Sequence, residues 1–176
     1  MNHVIQKHLP CNPLPPFLFL YAFIALLGGC TTAATFEGMV PSSFETVKNH
    51  PQTVRVNVNG GQETEAIGRP QITDSAFTQA LVESITKSQT FSKVIEDRNE
   101  KADYLLTVTL FSMDKRVFGR TVQLEAGWTL RRADAGDIIW QESVVSESTD
   151  NLILATEGAA RKNIAQGLAK ISKLNL

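Results

Sequence analysis

Cysteine is scarce in this sequence, with Cys11 and Cys30 the two in 176 residues. So few thiols leave no framework of paired cysteines to staple a small fold. Histidine is nearly as rare: two of the three, His3 and His8, stand within the first eight positions, and beyond them there is His50 alone, beside Pro51. A lone histidine at the end of a polar stretch is expected in solvent, and there is no Cys/His cluster at metal-ligand spacing. Basic charge is not in surplus either, since 17 Lys and Arg face 18 Asp and Glu. Nucleic-acid binding leans on neutralising phosphates, so that class is set aside. No apolar run reaches the roughly 20 residues that a membrane-spanning helix requires.

What is there begins with Phe17 to Leu27, an apolar run of eleven residues. That length fits the apolar core of a secretory signal, about 7–15 residues. The segment before it is weakly positive through Lys7 and the N-terminal amine. Pro10, Pro13, Pro15 and Pro16 keep it out of a longer helix, because proline lacks the amide proton and clashes with the preceding turn.

Leu27-Gly28-Gly29-Cys30 follows and resembles the lipobox of bacterial lipoproteins. The resemblance implies acylation of the Cys30 thiol, palmitate among the chains attached, and cleavage before Cys30, with Leu27, Gly28 and Gly29 as the recognition motif. Two small residues let a peptidase reach the backbone closely. The alternative is an ordinary secretory signal, or a buried apolar segment that ends in cysteine. On the lipoprotein reading residues 1–29 are the signal, Cys11 leaves with it, and 147 residues remain with 16 basic and 18 acidic side chains. Lipid on Cys30 also accounts for an odd cysteine in an exported chain. Two or three acyl chains anchor firmly where one binds only marginally. In enterobacterial lipoproteins an aspartate after the cysteine favours the inner membrane; by that analogy Thr31 points to the outer membrane of a two-membrane cell, with the domain facing the periplasm.

Residues 30–49 are rich in Thr, Ser and Ala and read as a lipidated, extended tether. The alternative is that Phe36, Met39 and Phe44 dock it on the domain. The domain proper is expected over 50–176. Val54, Val56 and Val58 alternate with Arg55 and Asn57 as a first strand, ended by Asn59-Gly60-Gly61. No GK[ST] follows those glycines, so a turn is read there and not a phosphate cradle. Thr73 or Asp74 caps a helix with Phe77, Leu81 and Ile85 on one face. Phe91–Ile95 is a short strand, and Ala102 to about Arg116, apolar on much of both faces, is a central one. Thr121–Arg131 alternates most clearly of all, and the turn Asp134-Ala135-Gly136-Asp137 joins it to a strand from Ile138 to Val145. Trp128 and Trp140 are both expected in the core. After a polar loop at 146–151, Ile153, Ala160, Ile164, Leu168, Ile171 and Leu174 recur at helical spacing. The expected class is α+β: a β-α-β-β-β-β-α two-layer sandwich, its sheet mostly antiparallel, with two helices packed on one face.

The helix ALVESITKSQTFSKV, then ADYLLTVTL, then GDIIWQESV resembles small periplasmic lipoprotein domains, among them the penicillin-binding-protein activator and curli-secretion lipoproteins. The likeness spans roughly Val54 to Leu174. It implies an α/β sandwich that binds proteins, admits a ring-forming secretion component, and carries no catalytic residues to transfer.

Two constellations remain. Glu125 and Glu142 face each other across the expected hairpin, but paired carboxylates work as acid and base only if one pKa is raised, and both are expected in water near Arg131 or Arg132. Lys115, Arg116, Val117, Phe118 and Arg120 sit in a strand connection, where cations flanking an apolar pair would press on a partner or on anionic headgroups; the plainer reading folds Phe118 back on the core. Thr121, Gln123, Glu125, Thr129 and Gln141 form a wet sheet face that is the other candidate contact surface. The function expected is a non-enzymatic, outer-membrane-anchored lipoprotein, needing no cofactor, that binds or assembles with cell-envelope proteins or with itself. The alternative is a carrier holding a lipid or other amphiphile between sheet and helices, for which a continuous apolar pocket is the distinguishing sign.

Overall fold

The computed structural model describes residues 34–46, 48–62, 71–116 and 121–176. They fall within one compact unit, Thr31–Leu176. In chain order the elements are α1 (Phe36–Met39), β1 (His50–Asn59), α2 (Asp74–Ser88), β2 (Phe91–Val94), β3 (Tyr104–Arg116), β4 (Thr121–Arg132), β5 (Ile138–Thr149) and α3 (Leu152–Ile171). The class is α+β, and the expected β-α-β-β-β-β-α order is present with one short helix ahead of it.

The five strands form one sheet in the order β2-β1-β3-β4-β5, so β3 is central. β3 pairs antiparallel with β4 over the length of both, and β4 with β5 likewise. The other two pairings, β1 with β2 and β1 with β3, are parallel, which makes the sheet mixed. The cause lies in the connections: α2 carries the chain from β1 back to lie beside it, and a helical crossover returns a strand in the same direction where a tight turn reverses it.

Thr73 is the cap of α2, its hydroxyl accepting the Ala76 amide at 3.1 Å, while Asp74 takes the Gly61 amide at 2.7 Å. Phe77, Ala80, Leu81 and Ile85 are fully buried beneath it. The alternation of β4 is complete: Val122, Leu124, Ala126, Trp128 and Leu130 are buried and the residues between them are half-exposed. α3 lies over β4 and β5. There the Trp128 indole donates to Asn163 Oδ1 at 2.9 Å, and Asn163 donates to the Val144 carbonyl at 2.8 Å.

Three expectations need correction. β5 does not stop at Val145 but continues through Ser146 to Thr149; Ser146 is buried because its hydroxyl donates to the Ala159 carbonyl of α3 at 2.8 Å, which a polar run in sequence conceals. Trp140 is half-buried, not core, since it lies opposite Leu130 on an edge strand with a neighbour on one side only. Residues 34–40 are docked, not free: Met39 is fully buried and joins the core with Phe36, Val40 and Phe44 packed against it.

Candidate functional site

Residues 34–46 and 48–50 form a strap along α3. The Thr35 amide and hydroxyl both donate to Glu157 Oε1, at 2.9 and 3.1 Å, and Glu157 is only 6% exposed. A Cβ on Gly38 would overlap the same carboxylate, so the approach is close. Arg161 Nε donates to the Gly38 carbonyl at 2.9 Å, and its Nη2 reaches the same oxygen. Farther on, Lys48 Nζ meets Asn175 Oδ1 at 2.5 Å. His50 Nε2 lies 3.1 Å from the Ile171 carbonyl; a carbonyl only accepts, so that nitrogen carries the proton. His50 is 5% exposed and tilted against Phe91, with ring centroids 5.6 Å apart. It is therefore a buried member of β1, not the solvated histidine expected, because the strand starts earlier than Val54 and closes on the end of α3.

The far margin of the sheet is less complete. β2 pairs with β1 only as far as Val54, and beyond that point a groove of ≈ 930 Å³ opens between β1 and α2. Val56, Val82, Val94, Ile95 and Leu105 give it apolar walls. Arg55 crosses its rim, donating through Nη2 to the carbonyls of Asp97 (3.0 Å) and Glu100, while its Nε is buried with no partner among the described residues. A second groove of ≈ 670 Å³ runs beside β2, past His50, Ile85 and Phe91.

Among the described residues no helix covers the sheet's other face. Phe111, 60% exposed, lies over Gly127, where a Cβ would come within 2.5 Å of the ring. Thr121, Gln123, Glu125 and Thr129 of β4 are half-exposed on this face beside Gln141 of β5, which is exposed. Glu125 accepts from Ser143 at 2.8 Å. Glu142 points to the helix side, opposite Trp128, and pairs with Lys170. The two carboxylates are thus on opposite faces and form no acid–base pair, and neither turns to Arg131 or Arg132. The Lys170 hydrogen bond and charge hold the Glu142 carboxyl below its ordinary range, the direction that keeps it ionised. Among the described residues no group of His, Cys, Asp and Glu is arranged to hold a metal ion, and no helix is long and apolar enough to cross a membrane.

Cys30, Leu27, Gly28 and Gly29 lie outside the described residues, as do Val117, Phe118 and Arg120. Lys115 and Arg116 are the last two residues of β3, in register with Val122 and Thr121. Glu157, Arg161 and Arg55 were not singled out by sequence reasoning. A glutamate one turn from an alanine-rich helical face reads as solvated until the strap that covers it is known.

No family model matches the chain, and no curated protein does. Solved structures do match. Protein XCC0632 from Xanthomonas campestris, of family DUF330, aligns at a TM-score of 0.53 and 11% identity over 80% of this chain and 89% of that one. A PelC dodecamer from Paraburkholderia phytofirmans aligns at 0.51 and 12% over 76% and 95%. The LpoB C-terminal domain from Salmonella enterica matches at a lower TM-score of 0.37, with 15% identity over 58% and 86%. At such identities the likeness is one of fold, carried by the first two.

Proposed function

We propose that this chain is a lipoprotein of the bacterial outer membrane whose periplasmic domain binds or assembles with envelope proteins and catalyses no reaction. The observation that carries this reading is Leu27-Gly28-Gly29-Cys30 at the end of an eleven-residue apolar run, directly ahead of one folded unit. Its support is twofold: a fold shared with a protein that assembles as a dodecamer, and broad surfaces, the open sheet face and the β1–α2 groove, suited to contact more than to chemistry. The carrier reading asked for a continuous apolar pocket between the layers. That space is packed with Phe77, Leu81, Ile85, Trp128, Ile164 and Leu168, all essentially inaccessible, and the apolar-walled groove between β1 and α2 stays at the margin of the sheet, so the contact reading is preferred.

The test joins two measurements in cells. Metabolic labelling with an alkyne fatty acid is expected to mark the protein, and Cys30→Ser to abolish the mark and leave the signal uncut. In vivo crosslinking is then expected to yield species larger than the monomer, with the lipidated protein banding with outer membranes on a density gradient. Labelling that survives Cys30→Ser overturns the anchor, and recovery as a bare monomer overturns the binding role.

A further inference from the structure

The strap has a direction. Thr35 is held at Glu157, Gly38 at Arg161, and Lys48 and His50 at Asn175 and Ile171, so the chain runs alongside α3 from its N-terminal half to its end. Its first described residues are Ala34, which is buried, and Thr35, held at Glu157 in the second turn of α3. Four residues lie between Cys30 and Thr35 in the sequence, so the two are five Cα steps apart, a contour of at most about 17 Å. If the strap were free, the first hold would be Lys48 and the leash would be several times longer.

The sheet fixes what else lies at that end. Lys115, Val122 and Ser148 form one row across β3, β4 and β5, and a Cβ on Gly158 of α3 would strike Ser148. Glu157, the residue that grips Thr35, is therefore level with the ends of β3 and β5. Beyond it stand Asp150, Asn151 and the first turn of α3, where Leu154 is 47% exposed and Leu152 and Ile153 are half-buried.

We infer that the domain does not swing freely on its anchor but stands on the bilayer, with the first turn of α3 and the adjoining ends of β3 and β5 against the phospholipid headgroups, and with Lys173 and Gln89 away from them. The inference rests on lipidation at Cys30 and adds orientation to it. The leash length selects the occupant: a surface within about 17 Å of the thioether meets the membrane that holds the acyl chains. Leu154 supplies an apolar contact there, and the backbone of Lys115 and Arg116 brings two cationic residues to the same end, where basic residues near anionic lipid are favoured.

The lipidated protein tests this directly, since its lipid-blocked Cys30 leaves an introduced cysteine as the one free thiol. Asp150→Cys and Lys173→Cys, both at exposed positions, are labelled with a fluorophore in proteoliposomes that contain a headgroup-attached contact quencher. The two sites are separated by the length of α3, about 30 Å for a helix of 20 residues. Strong quenching at 150 with little at 173 is expected. Inserting about 20 Gly and Ser residues between Ala33 and Ala34 should bring the two values together, because the longer leash no longer confines the domain. Equal quenching at both sites, or the reverse order, in protein that remains bound to the vesicles overturns the orientation alone. Protein that does not stay on the vesicles overturns the anchor and the orientation together.

Discussion

One asparagine ties Trp128 to the neighbouring strand. Asn163 accepts a hydrogen bond from the Trp128 indole N–H at 2.9 Å and donates one to the Val144 carbonyl at 2.8 Å, in a fully buried site. Removing that side chain strands a donor and an acceptor, each costing about 1–3 kcal/mol when left unpaired. Asn163→Ala is expected to lower stability by about 2–4 kcal/mol, read as a shift in urea midpoint with an unchanged slope. Asp103 works at the opposite, exposed extreme. The Thr53 amide and hydroxyl donate to it at 2.7 and 2.8 Å and hold its carboxyl below the usual range. A folded-state value below the unfolded one means that its contribution is full above the ordinary carboxylate pKa and disappears as pH falls through the lowered value. Asp103→Asn is therefore expected to flatten the loss of stability below about pH 4, seen in thermal melts across an acid series. Neither residue was legible as important. A buried asparagine and an exposed aspartate look alike in sequence, and only their partners, 35 and 50 positions away, tell them apart.

Among the elements, those with a strong period were readable. β4 alternates without a break, and its buried set is the one its sequence displays. β3 is apolar on both sides and is the central strand. Parallel pairing was not readable, because which strand lies beside β1 is decided by where α2 returns the chain and not by any pattern within β1. α1 was missed for a different reason: four residues carry no period. Its signal is the small apolar set Phe36, Met39 and Val40, of which Met39 is fully buried in the fold. A chain beginning at His50 would uncover that site and lose the Thr35–Glu157 contact. Burying a Met side chain is worth about 2–5 kcal/mol relative to its loss. Against a chain beginning at Thr31, the shorter one is expected to be less stable by at least about 2 kcal/mol in urea and to exchange α3 amides faster. Equal stability would mean that the strap lies on the domain without holding it.

Across the molecule the sheet is lopsided. On one side β3, β4 and β5 are long and paired with one another along their length, and α3 covers β4 and β5, with Trp128 at the centre. On the other, β2 has four residues and leaves β1 unpaired with it beyond Val54. Local opening follows paired length and buried area, so hydrogen exchange should divide the sheet. Amides of Val122 to Leu130 are expected to exchange only on global unfolding. Those of β2 and of Val56 to Asn59 should exchange at least about tenfold faster, a difference of about 1.4 kcal/mol in opening energy. Uniform protection across the five strands would show that the margin opens with the core. The weak margin is also where the ≈ 930 Å³ groove lies. A protein seated in that groove would then slow exchange at β1 and β2 and leave β4 unchanged, whereas one bound to the open sheet face would slow β4 and β5 first. Exchange measured with and without a crosslinked partner thus separates the two contact surfaces before the partner is known.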